Sequence, residues 1–308
     1  MKILVTGGAG FIGSNIVDEL IAKKHKVAIV DNLATGNIKN VNKKAKFYEV
    51  SVCDKEKIDE IFKKEKFDVV IHHAAQLDVR KSVADPCFDA DVNIKGALNI
   101  LEACKNTKVK KIIFASSGGT IYGECGSKAP DEKSYENPLS PYGVAKLSVE
   151  HYIKCYASLY GLKYTILRYA NVYGPRQDVN GEAGVVAIFI GRMTANNDVF
   201  IFGDGKQLRD YVFVKDVVAA NVKALTKANN EVVNIGTQKT FSVNDLFKAL
   251  AKITGYEKKA IYKPKRNGEL LKSVLNISKA KKVLDWQPKV KINNGLKETV
   301  EYFNKIIN

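Results

Sequence analysis

Tyr142 and Lys146, four positions apart in SPYGVAK, have the types and spacing for acid–base chemistry. Ser140 reads as an N-cap and Pro141 as the first helical residue, so both side chains leave one face of a helix that begins there. A phenol near the positive end of a helix and beside an ammonium is expected to have its pKa lowered toward the range of a working general acid/base. The same YxxxK spacing also describes a surface tyrosine, so its weight depends on what else the chain supplies.

The first strand-like run, KILVTG, leads into TGGAGFIG, with glycines at 7, 10 and 13. Glycine there allows a tight turn, close approach of the backbone to a pyrophosphate and close helix packing, and a helix N-terminus favours the negative charge. Asp31 closes the next run, KVAIVD, about 20 residues past the glycines. A carboxylate placed there accepts both ribose hydroxyls and repels a 2′-phosphate, which favours NAD over NADP. A third stretch, SSGGTIYG at 116–123, follows the apolar run KKIIFA and presents backbone and hydroxyls instead of core.

The elements that must position these residues are legible. KILVTG, KVAIVD, KFYEVSV, DVVIHHA, KKIIFAS and KYTILRY alternate with amphipathic stretches such as GSNIVDELIAKK and NIKGALNILEACKN. This rhythm predicts an α/β fold, a doubly wound parallel (Rossmann) sheet with helices on both faces, followed by a smaller α/β substrate domain. The division falls at 1–172 for the dinucleotide-binding domain and 173–308 for the smaller one, with roughly 212–237 returning to the first sheet.

TGGAGFIG, VDNL, HHAAQ, SSGGTIYGE, SPYGVAK, LRYANVYGPR, GDGKQLRDYVFVKDV and RNGE, in this order, resemble the extended short-chain dehydrogenase/reductase family, and within it the UDP-glucose 4-epimerases. The resemblance covers the whole chain. It implies bound NAD, contacted by Gly7, Gly10, Phe11, Ile12, Gly13, Asp31, Asn32, Ser51, Val52, Ala74, Ala75, Asn93, Ser116, Tyr142, Lys146 and Tyr169. Ser51 stands where many relatives place an Asp toward the adenine. A UDP-sugar is implied at Thr120, Tyr142, Asn171, Arg209, Arg266, Glu269 and Ser273, with Tyr142, Lys146 and Thr120 as the catalytic set. Relatives that dehydrate or decarboxylate sugars carry acids where this chain has Gly118, Gly119 and Thr120, which argues against both reactions. Most epimerases have Ser or Thr at the position of Gly118. Because side chains alternate along a strand, Thr120 is expected on the side of that lost hydroxyl and Ser117 on the other. Ser273, seven residues past Arg266, stands where a bulky tyrosine would close the pocket around the C2 substituent, so an acetamido sugar is expected to fit. Two long helices, about 92–106 and 141–160, resemble those of the family's dimer bundle, so a homodimer is expected. Another nucleotide-sugar epimerase or a 4-keto-sugar reductase of the same family, and a non-catalytic NAD sensor, are the alternatives.

Composition sets outer bounds. At 308 residues the chain can bury a sizeable core without disulfides. Five scattered cysteines without metal-ligand spacing read as thiols of a reducing compartment, and no leader or membrane span is evident, so a cytoplasmic enzyme is expected. The net charge of +16 comes from lysines dispersed over most helices, a solvated surface with no nucleic-acid stripe and no membrane patch. Arginine is used six times, four of them in short polar motifs (Arg168, Arg176, Arg209, Arg266), which suggests bidentate grip on phosphate or carboxylate. His72 and His73, at the end of a buried strand, are expected to pack or hydrogen-bond there, with no metal.

Overall fold

The β-branched runs form strands where the sequence places them. The computed structural model describes residues 1–124, 126, 128–179, 184–265 and 270–307. β1 (Lys2–Thr6), β2 (Lys26–Asp31), β3 (Lys46–Glu49), β4 (Val69–His72), β5 (Lys111–Ser117) and β6 (Lys163–Tyr169) lie parallel. Between them run α1 (Phe11–Ala22), α2 (Lys55–Glu65), α3 (Val79–Ala84), α4 (Pro86–Ala90), a π-helical turn (Asp91–Lys95), α5 (Gly96–Thr107), α6 (Gly118–Ile121) and α7 (Pro141–Tyr160). The π turn and α6 replace stretches expected to be plain helix and plain strand. Such turns recur at functional sites.

The remainder comprises β7 (Asn171–Tyr173), α8 (Val185–Thr194), β8 (Phe200–Phe202), β9 (Leu208–Arg209), β10 (Tyr211–Phe213), α9 (Val214–Ala224), β11 (Glu231–Ile235), β12 (Phe241–Ser242), α10 (Val243–Thr254), β13 (Ile261–Lys263), β14 (Lys272–Ser273), α11 (Ser278–Leu284) and α12 (Ile292–Ile307). β11 pairs with β6, giving a seven-stranded sheet in the order β3-β2-β1-β4-β5-β6-β11. The order reverses between β1 and β4, the point at which ligands bind beyond the carboxyl ends of such sheets. Smaller pairings, β7 with β10, β8 with β13, and β12-β9-β14, lie outside this sheet.

Both faces of the sheet are covered. Ile3, Val5, Ile29 and Ile71 point into one core with α1 and α9, while Leu4, Ala28, Val30 and Val70 point into the other with α2 and α5. This is the two-sided burial that near-continuous apolar strands require. Ser140 caps α7 by accepting the Gly143 N–H, with Pro141 as first helical residue. Trp286 is buried and donates its indole N–H to the Asp216 carbonyl.

Candidate active site

The glycine turn is shaped as a cradle. Gly7 has φ +69°, and a β-carbon there would stand 2.7 Å from the Ala74 nitrogen; one on Gly13 would overlap the Gly7 carbonyl. Thr6 holds the opposite wall, its Oγ1 accepting the N–H groups of His73 and Ala74. α1 starts at Phe11 and Ile12 with Gly10 as N-cap and no side chain capping it, so its terminal N–H groups suit a pyrophosphate. Asp31 is 7 % exposed and is aimed by two backbone donors, Ala9 N–H to Oδ2 and Leu33 N–H to Oδ1, both at 2.9 Å. The described residues therefore fit a dinucleotide: the cradle has room only for backbone at the phosphates and an oriented carboxylate at the ribose.

Several residues expected at the cofactor use their side chains within the protein. Asn32 Oδ1 accepts the Ala34 N–H, and Ser51 Oγ accepts the Cys53 N–H. The Val52 carbonyl accepts from Asn99. Ser116 donates its hydroxyl to Glu150 (2.6 Å), and the Tyr169 hydroxyl is shared by Asn221 (2.8 Å) and His73 (3.1 Å). Asn93 donates to the Gln76 carbonyl and to Asp89, and its Oδ1 accepts the Gln76 N–H. It thereby clamps the segment after Ala74 and Ala75. His72 bonds Thr6 and, with His73, is driven by burial to a pKa of about 3, so both stay neutral.

Tyr142 and Lys146 come together on α7. The Lys146 ammonium lies 5.6 Å from the Tyr142 ring centre and 5.0 Å from that of Phe114. Burial pushes Lys146 down to about 8, opposed by the Asp89 carboxylate. The expectation of a lowered phenol pKa is corrected: Tyr142 is pushed up, first by burial and then by Asp89. Desolvation of the would-be phenolate outweighs the helix terminus, and the ammonium stands too far off to offset it. Asp89 is absent from the sequence-derived set, and nothing in DPCFDADVN marks it.

The strand alternation used to place Thr120 also fails. β5 ends at Ser117, and Gly118–Ile121 is a helical turn. Thr120 Oγ1 is buried without a partner among the described residues. A β-carbon on Gly119 would stand 3.8 Å from Ser273 Oγ, 3.9 Å from Ser117 Oγ and 4.0 Å from Asn171 Oδ1, so these three polar groups surround one space. Ser273 pairs with Arg209 across β14 and β9. Arg209 and Asn171 line a cavity with Gln177, Phe189, Phe200 and Phe202. Arg266 and Glu269 lie outside the described residues.

Arg168 makes the expected bidentate grip on a carboxylate, whereas Arg176 holds its carboxylate through one nitrogen. Arg168, fully buried, holds Glu150 through Nε (2.9 Å) and Nη2 (2.6 Å), which fixes α7 to β6 one turn beyond Lys146. Arg176 pairs with Asp18 at 2.6 Å. Among the described residues no group of His, Cys, Asp or Glu could hold a metal ion, and no helix is long and apolar enough to cross a membrane.

The chain is 50% identical over 300 residues to a putative UDP-glucose 4-epimerase of Methanocaldococcus jannaschii, covering 97% of each. Its structure is similar to that of UDP-glucose 4-epimerase from Thermotoga maritima, solved with UDP-glucose (54% identity, TM-score 0.99, all of both chains covered). It is also similar to the Thermus thermophilus UDP-glucose 4-epimerase in complex with NAD (43%, TM-score 0.95, 99% of each chain). A UDP-N-acetylglucosamine 4-epimerase of Methanobrevibacter ruminantium is a further structural neighbour (36%, TM-score 0.93, 99% of this chain and 98% of that one). Residues 3–236 match the model of the NAD dependent epimerase/dehydratase family. With the glycine cradle, the aimed Asp31 and the Tyr142–Lys146 pair in place, the chain belongs to that family and NAD is its cofactor.

Proposed function

We propose that the protein is a nucleotide-sugar 4-epimerase that interconverts UDP-glucose and UDP-galactose through a 4-keto sugar. The observation that carries this reading is the Tyr142–Lys146 pair on α7, with Gly118, Gly119 and Thr120 supplying no acid that dehydration or decarboxylation needs. NAD, when bound, supplies the acceptor and donor of the C4 hydride. Tyr142 takes the proton of the 4-hydroxyl and gives it back to the opposite configuration. Lys146 holds the nicotinamide ribose. Arg209, with Arg266 and Glu269 beyond the described residues, anchors the nucleotide while the keto sugar turns.

In this reading residues 1–172 and the returning 212–237 hold NAD, and the rest of 173–308 holds the nucleotide sugar. Two copies pair through α5 and α7, and the enzyme works in the cytoplasm. The hydroxyl that aligns the sugar has two candidates. Thr120 is the choice made from the sequence; Ser117 is favoured by its place beside Asn171 and Ser273 around the space at Gly119. Product NMR with UDP-glucose tests the reaction: conversion to UDP-galactose without added nicotinamide cofactor supports it, and stoichiometric consumption of NADH points to the reductase alternative.

A further inference from the structure

Asp89 is a buried carboxylate that the epimerase reading does not use. It is 1 % exposed, on the short helix α4. One oxygen, Oδ1, accepts the amide hydrogens of Gln76 and Asn93, both at 2.9 Å. Those two amides are otherwise spent on backbone: Gln76 bridges the Asp78 N–H and carbonyl, and Asn93 bridges the Gln76 N–H and carbonyl. Oδ2 takes no hydrogen bond from a described residue. On α7, against which α4 packs, Lys146 is 4 % exposed and its ammonium likewise makes no hydrogen bond to a described residue. An anion with one oxygen open and a cation with no donor engaged by a described residue, carried on two helices packed together, each favour the charged form of the other.

We propose that Asp89 is a positioning residue for the catalytic pair: its carboxylate is the fixed counter-charge of the Lys146 ammonium and acts on Tyr142 from the same place, without touching substrate. The other charged groups around α4 are accounted for. From α3, Arg80 and Lys81 are exposed, with Lys81 stacked over Phe88 at 4.4 Å. In the π turn, Asp91 and Lys95 pair with each other at 3.6 Å. Asp85 caps the Phe88 N–H, and His72 and His73 beyond β4 are neutral. Asp89 raises the pKa of both Tyr142 and Lys146, and Lys146 lowers that of Asp89.

A negative charge favours the protonated form of each neighbour, so its removal moves both titrations to lower pH. The test is Asp89→Asn, whose amide oxygen can replace Oδ1 toward Gln76 and Asn93 while the charge is lost. Both limbs of the kcat–pH profile are expected to move down by roughly one unit. The phenolate absorbance of Tyr142, taken as the difference from the matching Tyr142→Phe protein, should move the same way without turnover being involved. Asp89→Glu, which keeps the charge, should leave both limbs in place, and Asp89→Ser carries the neutral test should Asp89→Asn not fold. Limbs that stay put or rise in the neutral variants, or an Asp89→Glu profile displaced as far as theirs, would overturn the proposal. It rests on the epimerase reading, whose own failure would appear separately, as no product from the unaltered enzyme.

Discussion

Leu275 Cδ1 stands 2.6 Å from the point where a β-carbon on Gly118 would lie. Leu275 is fully buried, so the space that a side chain at Gly118 would take is filled by a leucine. Gly118→Ser is therefore expected to overpack the site and lower stability by about 1–3 kcal/mol. Leu275→Ala should lower it by about 2–5 kcal/mol through the cavity left behind. In the double variant the serine enters the vacated space, and the two effects should sum to less than their parts. Urea unfolding of the four proteins measures this, and simple additivity would show that the two positions are not coupled.

The aligning hydroxyl can be assigned by a paired comparison. Because β5 stops at Ser117 and the chain turns helical, Ser117→Ala is expected to lower kcat roughly 10- to 1000-fold, as loss of one positioned hydrogen bond does, and Thr120→Val less. Thr120→Val as the more damaging change would return the role to the buried, unpartnered Thr120 hydroxyl.

Ser273 faces the space at Gly119 from β14, and in the epimerase reading substrate breadth turns on it. With a small residue there, UDP-N-acetylglucosamine should be turned over as well as UDP-glucose, the discrimination staying within about 1–3 kcal/mol. Ser273→Tyr should abolish activity on the acetamido sugar and spare UDP-galactose. Outright rejection of UDP-N-acetylglucosamine by the unaltered enzyme would mean that a neighbour such as Leu271 or Lys272 closes the pocket.

Acid stability should depend on Glu65, far from the site at the amino ends of the strands. Lys2 (2.6 Å), Lys46 and Tyr48 surround this nearly buried carboxylate and pull its pKa down to about 2. A carboxyl group lowered on folding adds stability that is complete above its unfolded pKa of about 4.3 and disappears as pH falls through the folded value. Glu65→Gln should therefore lower Tm near neutral pH and lose its effect toward pH 2 (about the folded pKa). A Tm difference that persists unchanged at the acid end would contradict the pairing.

Much of this arrangement is legible from local pattern, because local chemistry specifies it. The β-branched runs dictate β1 to β6, the Gly7–Gly13 turn needs backbone that only glycine allows, and Ser140–Pro141 marks the start of α7 and so the facing of Tyr142 and Lys146. The illegible parts depend on contacts between distant segments. Leu275 meets Gly118 only in the folded chain, and Asp89 depends on Gln76 from the end of β4. The helical turn at Gly118–Ile121 is four residues long, too short for periodicity to reveal, and ending the strand there breaks the alternation that placed Thr120. The Tyr142 pKa ran opposite to expectation because burial, which spacing does not report, was the larger effect.

The most direct test of the epimerase account follows C4 of UDP-glucose by proton NMR with the purified protein and its Tyr142→Phe variant, without added cofactor. The account predicts that the unaltered protein brings UDP-glucose and UDP-galactose to the same equilibrium mixture from either side. Tyr142→Phe should lose nearly all turnover while binding the UDP-sugar within a few-fold of the unaltered protein, since the phenol acts mainly in the transition state. Near-normal turnover by Tyr142→Phe, or no UDP-galactose from the unaltered protein, would contradict it.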